Sequence, residues 1–199
     1  MDKKSKTIDR CQISGVQDLK TVLSLGYLPP VNKLNKINSS LREDVFYPAE
    51  LMFSPSSKLL QLSTIVDKKI LFPKEYPYTS STTKILRENF KELYEDCKKI
   101  INISSKDLII DIGSNDGNLL NNFKKNHRVL GITPEKIGKI AIKKGINTLQ
   151  RYFNKTTSDL VLKKFGKAKI ITATNVFAHI ENVNLLMKNL LKILKNDGI

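Results

Sequence analysis

The sequence predicts an α/β protein: four strands of a partial parallel sheet alternating with helices, preceded by a small irregular or β module and a linking helix. Three observations carry this. From residue 103 onward, short apolar runs alternate with helical segments of roughly ten residues, as in a parallel sheet with right-handed crossovers. In residues 82–101, Leu86, Phe90, Leu93, Cys97 and Ile100 recur at helical spacing and form one apolar stripe. Residues 1–81 lack such a period, and Pro29, Pro30, Pro48, Pro55, Pro73 and Pro77 break them into short pieces. The expected division is a module over 1–81, a linking helix over 82–102 and a sheet domain over 103–199.

Taken in order, residues 16–25 read as the module's one helical segment, and 58–63 and 69–72 as short strands. Cys97 lies on the stripe of the linking helix, so it is expected to be a buried small hydrophobe. Residues 108–112 are a continuous apolar run interrupted only by Asp111, as for a strand buried on both faces. A helix is expected over 118–125 and a second strand over 128–133. Thr133 is placed to cap the next helix, with Pro134 at its first position and Gly145 past its end. A third strand over 146–149, a helix over 157–165, a fourth strand over 168–173 and an amphipathic helix over 183–194 complete the pattern.

The composition is that of an ordinary globular chain: 199 residues, 40% hydrophobic and 27% charged. Two cysteines do not make a disulfide framework and fit a reducing compartment. The basic start MDKKSKTIDR is followed by no apolar run, and no stretch approaches ~18 apolar residues. Neither a signal peptide nor a membrane span is therefore expected, and the chain reads as cytoplasmic. The charge of +15 could suit nucleic acid. The lysines, however, are spread as pairs along the whole chain, so nucleic-acid binding is not the favoured reading.

In an open α/β sheet, ligands bind beyond the carboxyl ends of the strands. The first strand ends in Asp111-Ile112-Gly113-Ser114-Asn115-Asp116-Gly117. The third glycine of a G-x-G-x-x-G phosphate loop is missing, and Asp111 and Asp116 would repel a pyrophosphate. The same carboxylates suit a cationic ligand. S-adenosyl-L-methionine, with an ammonium and a sulfonium, is such a ligand. Gly113 and Gly117 are expected to let a ligand lie against the backbone and the next helix start close to the strand.

VLSLGYLPP, KLLQL, EYPYTSS, DIGSNDGNLL, VLGITPEKIGKIAIKKGI and ITATNVFAHIENV follow one another in this order. Together they resemble the S-adenosylmethionine-dependent C-methyltransferases with an N-terminal zinc-binding module, including those acting on nucleotide sugars. The resemblance covers about residues 11–199. It implies a class I methyltransferase (Rossmann-like) fold with strand order 3-2-1-4-5-7-6. S-adenosyl-L-methionine is the cofactor it implies, and the reaction is methyl transfer to an activated carbon of a small-molecule acceptor. Carried over by position, Asp111, Gly113, Ser114, Asn115, Asp116 and Gly117 form the cofactor loop. Asn175 faces cofactor and substrate, and His179 shares its loop. Tyr76 and Tyr78 belong to a segment that closes over the cofactor. His179, Tyr76 and Tyr78 are the catalytic candidates.

Three departures from the family pattern bear on function. The module's two C-x-x-C metal pairs correspond here to Cys11-x-x-Ser14 and Ser54-x-x-Ser57. One thiolate cannot hold a four-ligand zinc, so no metal is expected, and the module would rest on apolar packing alone in a loosely ordered state. The acidic residue that grips the ribose hydroxyls is replaced by Thr133, with Glu135 two residues on, where it would only complement the helix dipole. Finally, LKNDGI falls where a fifth strand would begin. The chain then reads as truncated, with the fourth strand an unpaired edge that a second chain could complete. The alternative functions are a non-catalytic cofactor-binding fragment and a nucleic-acid methyltransferase. Against the latter, strand four exits as ATNVF, not the N-P-P-[YF] that stacks a flipped base.

Overall fold

A computed structural model describes residues 5–32, 34, 37–38, 40 and 44–199. Part of the basic start of the chain, residues 1–4, lies outside the described residues. The chain divides into two compact units, Met1–Pro73 with Glu181–Asn184, and Lys74–Ile180 with Leu185–Ile199.

In the first unit, β1 (Ser5–Thr7) pairs antiparallel with β5 (Thr64–Val66). An antiparallel sheet of order β2-β3-β4 is formed by Lys20–Leu28, Tyr47–Phe53 and Leu60–Leu62. The helix expected over 16–25 is absent, because most of that segment belongs to β2. Thr21, Val22 and Tyr27 favour the extended chain. Gly26, at φ +75°, sits in the irregularity between Ser24 and Tyr27, a conformation no helix contains. The strand expected over 69–72 is likewise replaced, by a helical turn α1 (Lys68–Leu71) whose start is capped by Asp67 accepting from Lys69 N–H at 2.7 Å.

The second unit begins with α2 (Lys84–Ile100), the linking helix. Its buried face is Phe90, Tyr94 and Cys97, with Leu86 and Leu93 at the margin. Ile100 lies outside the stripe, 72% exposed, and Ile101 and Ile103 pack in its place as the helix ends. Burial pushes the Cys97 thiol above its ordinary range, in keeping with a packing role.

Four parallel strands follow in the order β8-β7-β6-β9. They are β6 (Leu108–Ile112), β7 (Arg128–Ile132), β8 (Asn147–Leu149) and β9 (Ile170–Thr172). In the numbering of the sheet's own strands this is 3-2-1-4, the expected order. All five residues of β6 are buried. Ile109 faces a core with Phe90, Leu120, Phe123 and Ile146. Leu108, Ile110 and Ile112 face the opposite one with Leu130, Val161 and Ile193. Apart from Asp111 the strand is apolar because both faces are covered. The covering helices are α3 (Leu120–Phe123), α4 (Gly138–Lys143), α5 (Lys155–Lys164) and α6 (Val183–Ile193).

Thr133 does not cap α4, which starts five residues later at Gly138. The Thr133 hydroxyl donates instead to the Glu135 carboxylate. β9 stands at the edge of the sheet, as expected, but part of that edge is covered. Ile171 N–H donates to Ile199 C=O at 2.9 Å and Ile199 N–H to Lys169 C=O at 3.0 Å, so the last residue lies along the strand. Lys169 pairs with Asp197 at 2.7 Å and Lys195 with Asp107 at 2.5 Å. Asp107 also accepts from the Ser104 N–H and hydroxyl, both at 2.8 Å. Lys195 first, then these donors, hold the Asp107 carboxyl down at about 2. Its contribution is present above the usual carboxylate range and is lost as pH falls from about 4 through 2. Asp107→Asn is expected to lower stability by about 1–3 kcal/mol, and to flatten the acid limb of a stability–pH curve measured by thermal denaturation.

Candidate cofactor site at the carboxyl edge of the sheet

Register sets the site. Thr148, Gly131, Asp111 and Thr172 stand side by side across β8, β7, β6 and β9, one residue from the carboxyl end of the central strands. Across β7, β6 and β9 the two rows before it are apolar: Leu130, Ile110 and Ile171, then Val129, Ile109 and Ile170. Asp111, 3% exposed, accepts from the Thr172 hydroxyl at 2.7 Å. Burial pushes its carboxyl up to about 7, and the Thr172 hydrogen bond offsets this only in part. A carboxylate so placed gains most from a cationic ligand group.

The loop after β6 turns tightly. Gly113 and Ser114 N–H both donate to Ile132 C=O, at 2.7 and 3.3 Å. Gly113 (φ +74°) and Gly117 (φ +79°) occupy the left-handed region that favours glycine. Their second role differs from the expectation. A Cβ on Gly113 would come within 2.2 Å of Val176 Cγ2, and one on Gly117 within 2.6 Å of Ile146 Cδ1 and 2.9 Å of Ala141 Cβ. These glycines therefore admit neighbouring protein, holding the loops after β6 and β9 together and seating the turn before α3 against α4. Gly131 likewise admits neighbouring protein, the side chain of Ser114. Ser114 Oγ is buried with no hydrogen-bond partner, and a Cβ on Gly131 would sit 2.5 Å from it. A buried hydroxyl with no partner is a free donor and acceptor for a ligand.

Asp116 departs from the expectation of a ligand-facing carboxylate. It is fully buried and accepts from the Ser80 hydroxyl at 2.6 Å and Lys144 Nζ at 2.9 Å. Burial alone would raise its carboxyl. Hydrogen bonds from Ser80, Ser81 and Lys144 outweigh burial and hold the group below the ordinary range. Its charge is thus already matched. Asn115, at φ +51°, accepts from Ser80 N–H at 2.9 Å and donates to Tyr78 C=O at 3.1 Å. Asn118 donates to Ser80 C=O at 3.1 Å. Three loop side chains thereby fasten the EYPYTSS segment to the turn after β6. Tyr76 and Tyr78 meet edge to face at 6.4 Å, and Tyr78 is half exposed.

At the end of β7, Thr133 is buried and its N–H donates to Leu149 C=O at 3.1 Å. Glu135 is also buried, facing Thr133, so it is more than a complement to a helix dipole. After β9, Asn175 (φ +56°) is exposed, and His179 closes a short 3₁₀ turn, Phe177–His179, by donating its N–H to Val176 C=O at 2.9 Å. The sequence reading missed Ser80, Lys144 and Thr172. All three lie inside the motifs that carry the resemblance, but only the fold brings Lys144 to Asp116 and Thr172 to Asp111.

A sequence family described as "Methyltransferase domain" matches residues 84–199, more than half of the chain. The chain belongs to that family. The methyltransferase domain is preceded by a second match, over residues 11–72, to a family described as "Putative zinc binding domain". "C-methyltransferase NovU" of Streptomyces niveus is 24% identical over 196 residues, covering 98% of this chain and 46% of its own. The chain thus spans less than half the length of that curated relative. Among solved structures, the plantazolicin methyltransferase BpumL in complex with SAH is 21% identical, with TM-score 0.45, covering 58% of this chain and 46% of its own. Coclaurine N-methyltransferase bound to N-methylheliamine and SAH is 23% identical, with TM-score 0.43, covering 61% of this chain and 36% of its own.

The zinc implied by the second match does not fit the residues present. The four positions offer Cys11 and three serines, Ser14, Ser54 and Ser57. Burial would raise the Cys11 thiol, but hydrogen bonds from Ser14 and Ser57 bring it down to about 6. One ready thiolate with three hydroxyls is not a zinc donor set. Among the described residues, no group of three or more His, Cys, Asp or Glu could hold a metal. No helix among them is long and apolar enough to cross a membrane.

Proposed function

We propose that the carboxyl edge of this sheet binds S-adenosyl-L-methionine, and that the chain serves methyl transfer to a carbon of a small-molecule acceptor of the nucleotide-sugar kind. The observation that carries the first part is a buried Asp111 carboxylate near the end of the central strand, together with an orphaned Ser114 hydroxyl in the turn after it. Both are complementary to the amino-acid end of a cationic ligand. Membership of the methyltransferase family and the likeness to a C-methyltransferase support the second part.

In this reading Asp111 offsets the ligand's positive charge, and Ser114 with the loop's Gly113 and Asn115 orients its polar groups. Glu135, held by Thr133, accepts hydrogen bonds from the ribose hydroxyls, restoring the acidic group that Thr133 itself lacks. Asp116 and Gly117 position the loop. Tyr76 and Tyr78 cover the site and exclude water, and Asn175 orients the acceptor. His179 is the candidate to remove the proton from the acceptor carbon. When bound, the sulfonium supplies an electrophilic methyl group. The chain's contribution is to hold the nucleophilic carbon in line with it and to take up the proton.

Incubation of the chain with methyl-labelled cofactor and a nucleoside-diphosphate keto sugar is expected to place label in a carbon-bound, hydrolysis-stable position. His179→Ala should cut that rate on the order of 10²-fold while leaving cofactor binding unchanged. Label found on oxygen or nitrogen would contradict the carbon assignment. Glu135→Gln should weaken cofactor binding about 10-fold or more, read by calorimetry. An unchanged affinity would remove Glu135 from the site.

A further inference from the structure

The two turns that stand where the family has its metal pairs keep a common backbone. Gly15 N–H donates to Cys11 C=O at 2.9 Å, and Lys58 N–H donates to Ser54 C=O at 2.8 Å. Each turn then ends on a left-handed residue, Gly15 at φ +72° and Lys58 at φ +61°. For a lysine this conformation is strained, so something must hold it. Of the four first and last turn positions, Cys11 and Ser54 are buried.

Side chains join the turns. Cys11 Sγ lies 3.1 Å from Ser57 Oγ and accepts from Ser14 N–H at 3.4 Å. Ser14 Oγ is 3.5 Å from Ser56 Oγ, which in turn is 3.3 Å from Ser54 Oγ. Besides Ser56, two further residues outside the four positions complete the network. The Asp18 carboxylate accepts from the Ser54 hydroxyl through one oxygen and from Ser56 N–H through the other, both at 2.8 Å. The buried Gln61 amide accepts from Gln12 N–H at 2.9 Å and donates to Arg10 C=O at 3.3 Å, clamping the backbone on either side of Cys11. The unit is therefore not held by apolar packing alone, as its sequence had led one to expect.

A zinc ion in such a pair of turns cross-links them through four ligands. Here a carboxylate, an amide and four hydroxyls link the same turns through directed hydrogen bonds. We propose that this module is a metal-independent knuckle pair, in which Asp18 and Gln61 perform the cross-linking that zinc performs in the family. The turns themselves keep a geometry able to accept the ion once the thiols are returned.

The test uses the full chain. Wild-type protein purified in the presence of zinc should contain none by elemental analysis, and a strong chelator should leave its rate of cleavage within residues 5–73 by trypsin, a protease with no catalytic metal, unchanged. Asp18→Ala should raise that rate about tenfold or more, with Asp18→Asn between, because Asn can accept from Ser54 but not also from Ser56 N–H. The triple substitution Ser14→Cys, Ser54→Cys, Ser57→Cys should bind one cobalt(II) ion, seen by its tetrahedral thiolate absorption, and become chelator-sensitive. Stoichiometric zinc in the wild type, or Asp18→Ala as resistant as wild type, would overturn the proposal. Failure of the triple variant to bind cobalt would overturn its claim about the turns. Should that variant not fold, the wild-type metal content and chelator response still decide the first claim.

Discussion

Asp111→Asn is expected to weaken S-adenosylhomocysteine binding about 10- to 100-fold while making the ligand-free protein more stable. Both effects follow from one geometry. The carboxylate is buried, receives one hydroxyl donor, and has its ordinary value pushed up to about 7. In the ligand-free fold the group binds a proton that the unfolded chain has already lost. Stability therefore falls as pH rises from about 4 to about 7 and is flat above. Asparagine keeps the Thr172 hydrogen bond and removes the charge, so at pH 8 the variant should gain at least about 1 kcal/mol. A ligand ammonium reverses the sign, because it favours the ionised carboxylate. Affinity for the wild type should thus rise as pH goes from 6 to 8, with proton release on binding below about pH 7. In Asp111→Asn that pH dependence should disappear. Titration calorimetry in two buffers of different ionisation enthalpy reads both the affinity and the proton count. A variant that loses stability yet binds as the wild type does would contradict the role given to Asp111.

The second large effect is steric. Gly113→Ala should destabilise the second unit by about 2–5 kcal/mol. Roughly 1–2 kcal/mol comes from an L-residue at positive φ, and about 1–3 kcal/mol from overlap with Val176. The corresponding drop in Tm is on the order of 5–15 °C. The two contributions can be separated. Val176→Ala removes the γ-methyl that would lie 2.2 Å from the new Cβ and leaves a Val176 Cβ distance of 3.4 Å. In the double variant the overlap term should be recovered and the backbone term should remain. If Val176→Ala restores nothing, the contact between the loops after β6 and β9 is not what fixes Gly113.

What the sequence disclosed, and what it hid, divides along physical lines. β6 was legible to the residue, because burial on both faces leaves an apolar run broken only by Asp111. Likewise, α2 was legible from its period. The order of the sheet came from the resemblance, and the pairing agrees with it. Segment 16–25 was misread because Val22, Leu23 and Leu25 sit on an exposed sheet, where neither helical nor alternating burial marks the pattern. Only Gly26 pointed to the bulge. At the site, the loop after β6 was visible as a motif, but the partition of labour among its carboxylates was not. Asp111 and Asp116 look equivalent in sequence. Lys144, 28 residues further on, is what neutralises Asp116, whereas Asp111 has no cation beside it among the described residues. Glu135 was seen and undervalued, since nothing in the sequence shows that the helix begins at Gly138 and frees the preceding turn to fold Glu135 back on Thr133.

The most direct test is a calorimetric titration of S-adenosylhomocysteine into the full chain, repeated at pH 6 and pH 8. Saturable binding at one site per chain, tighter at pH 8, is the predicted result. Absence of heat up to millimolar ligand at both pH values would contradict the assignment of the carboxyl edge as the cofactor site.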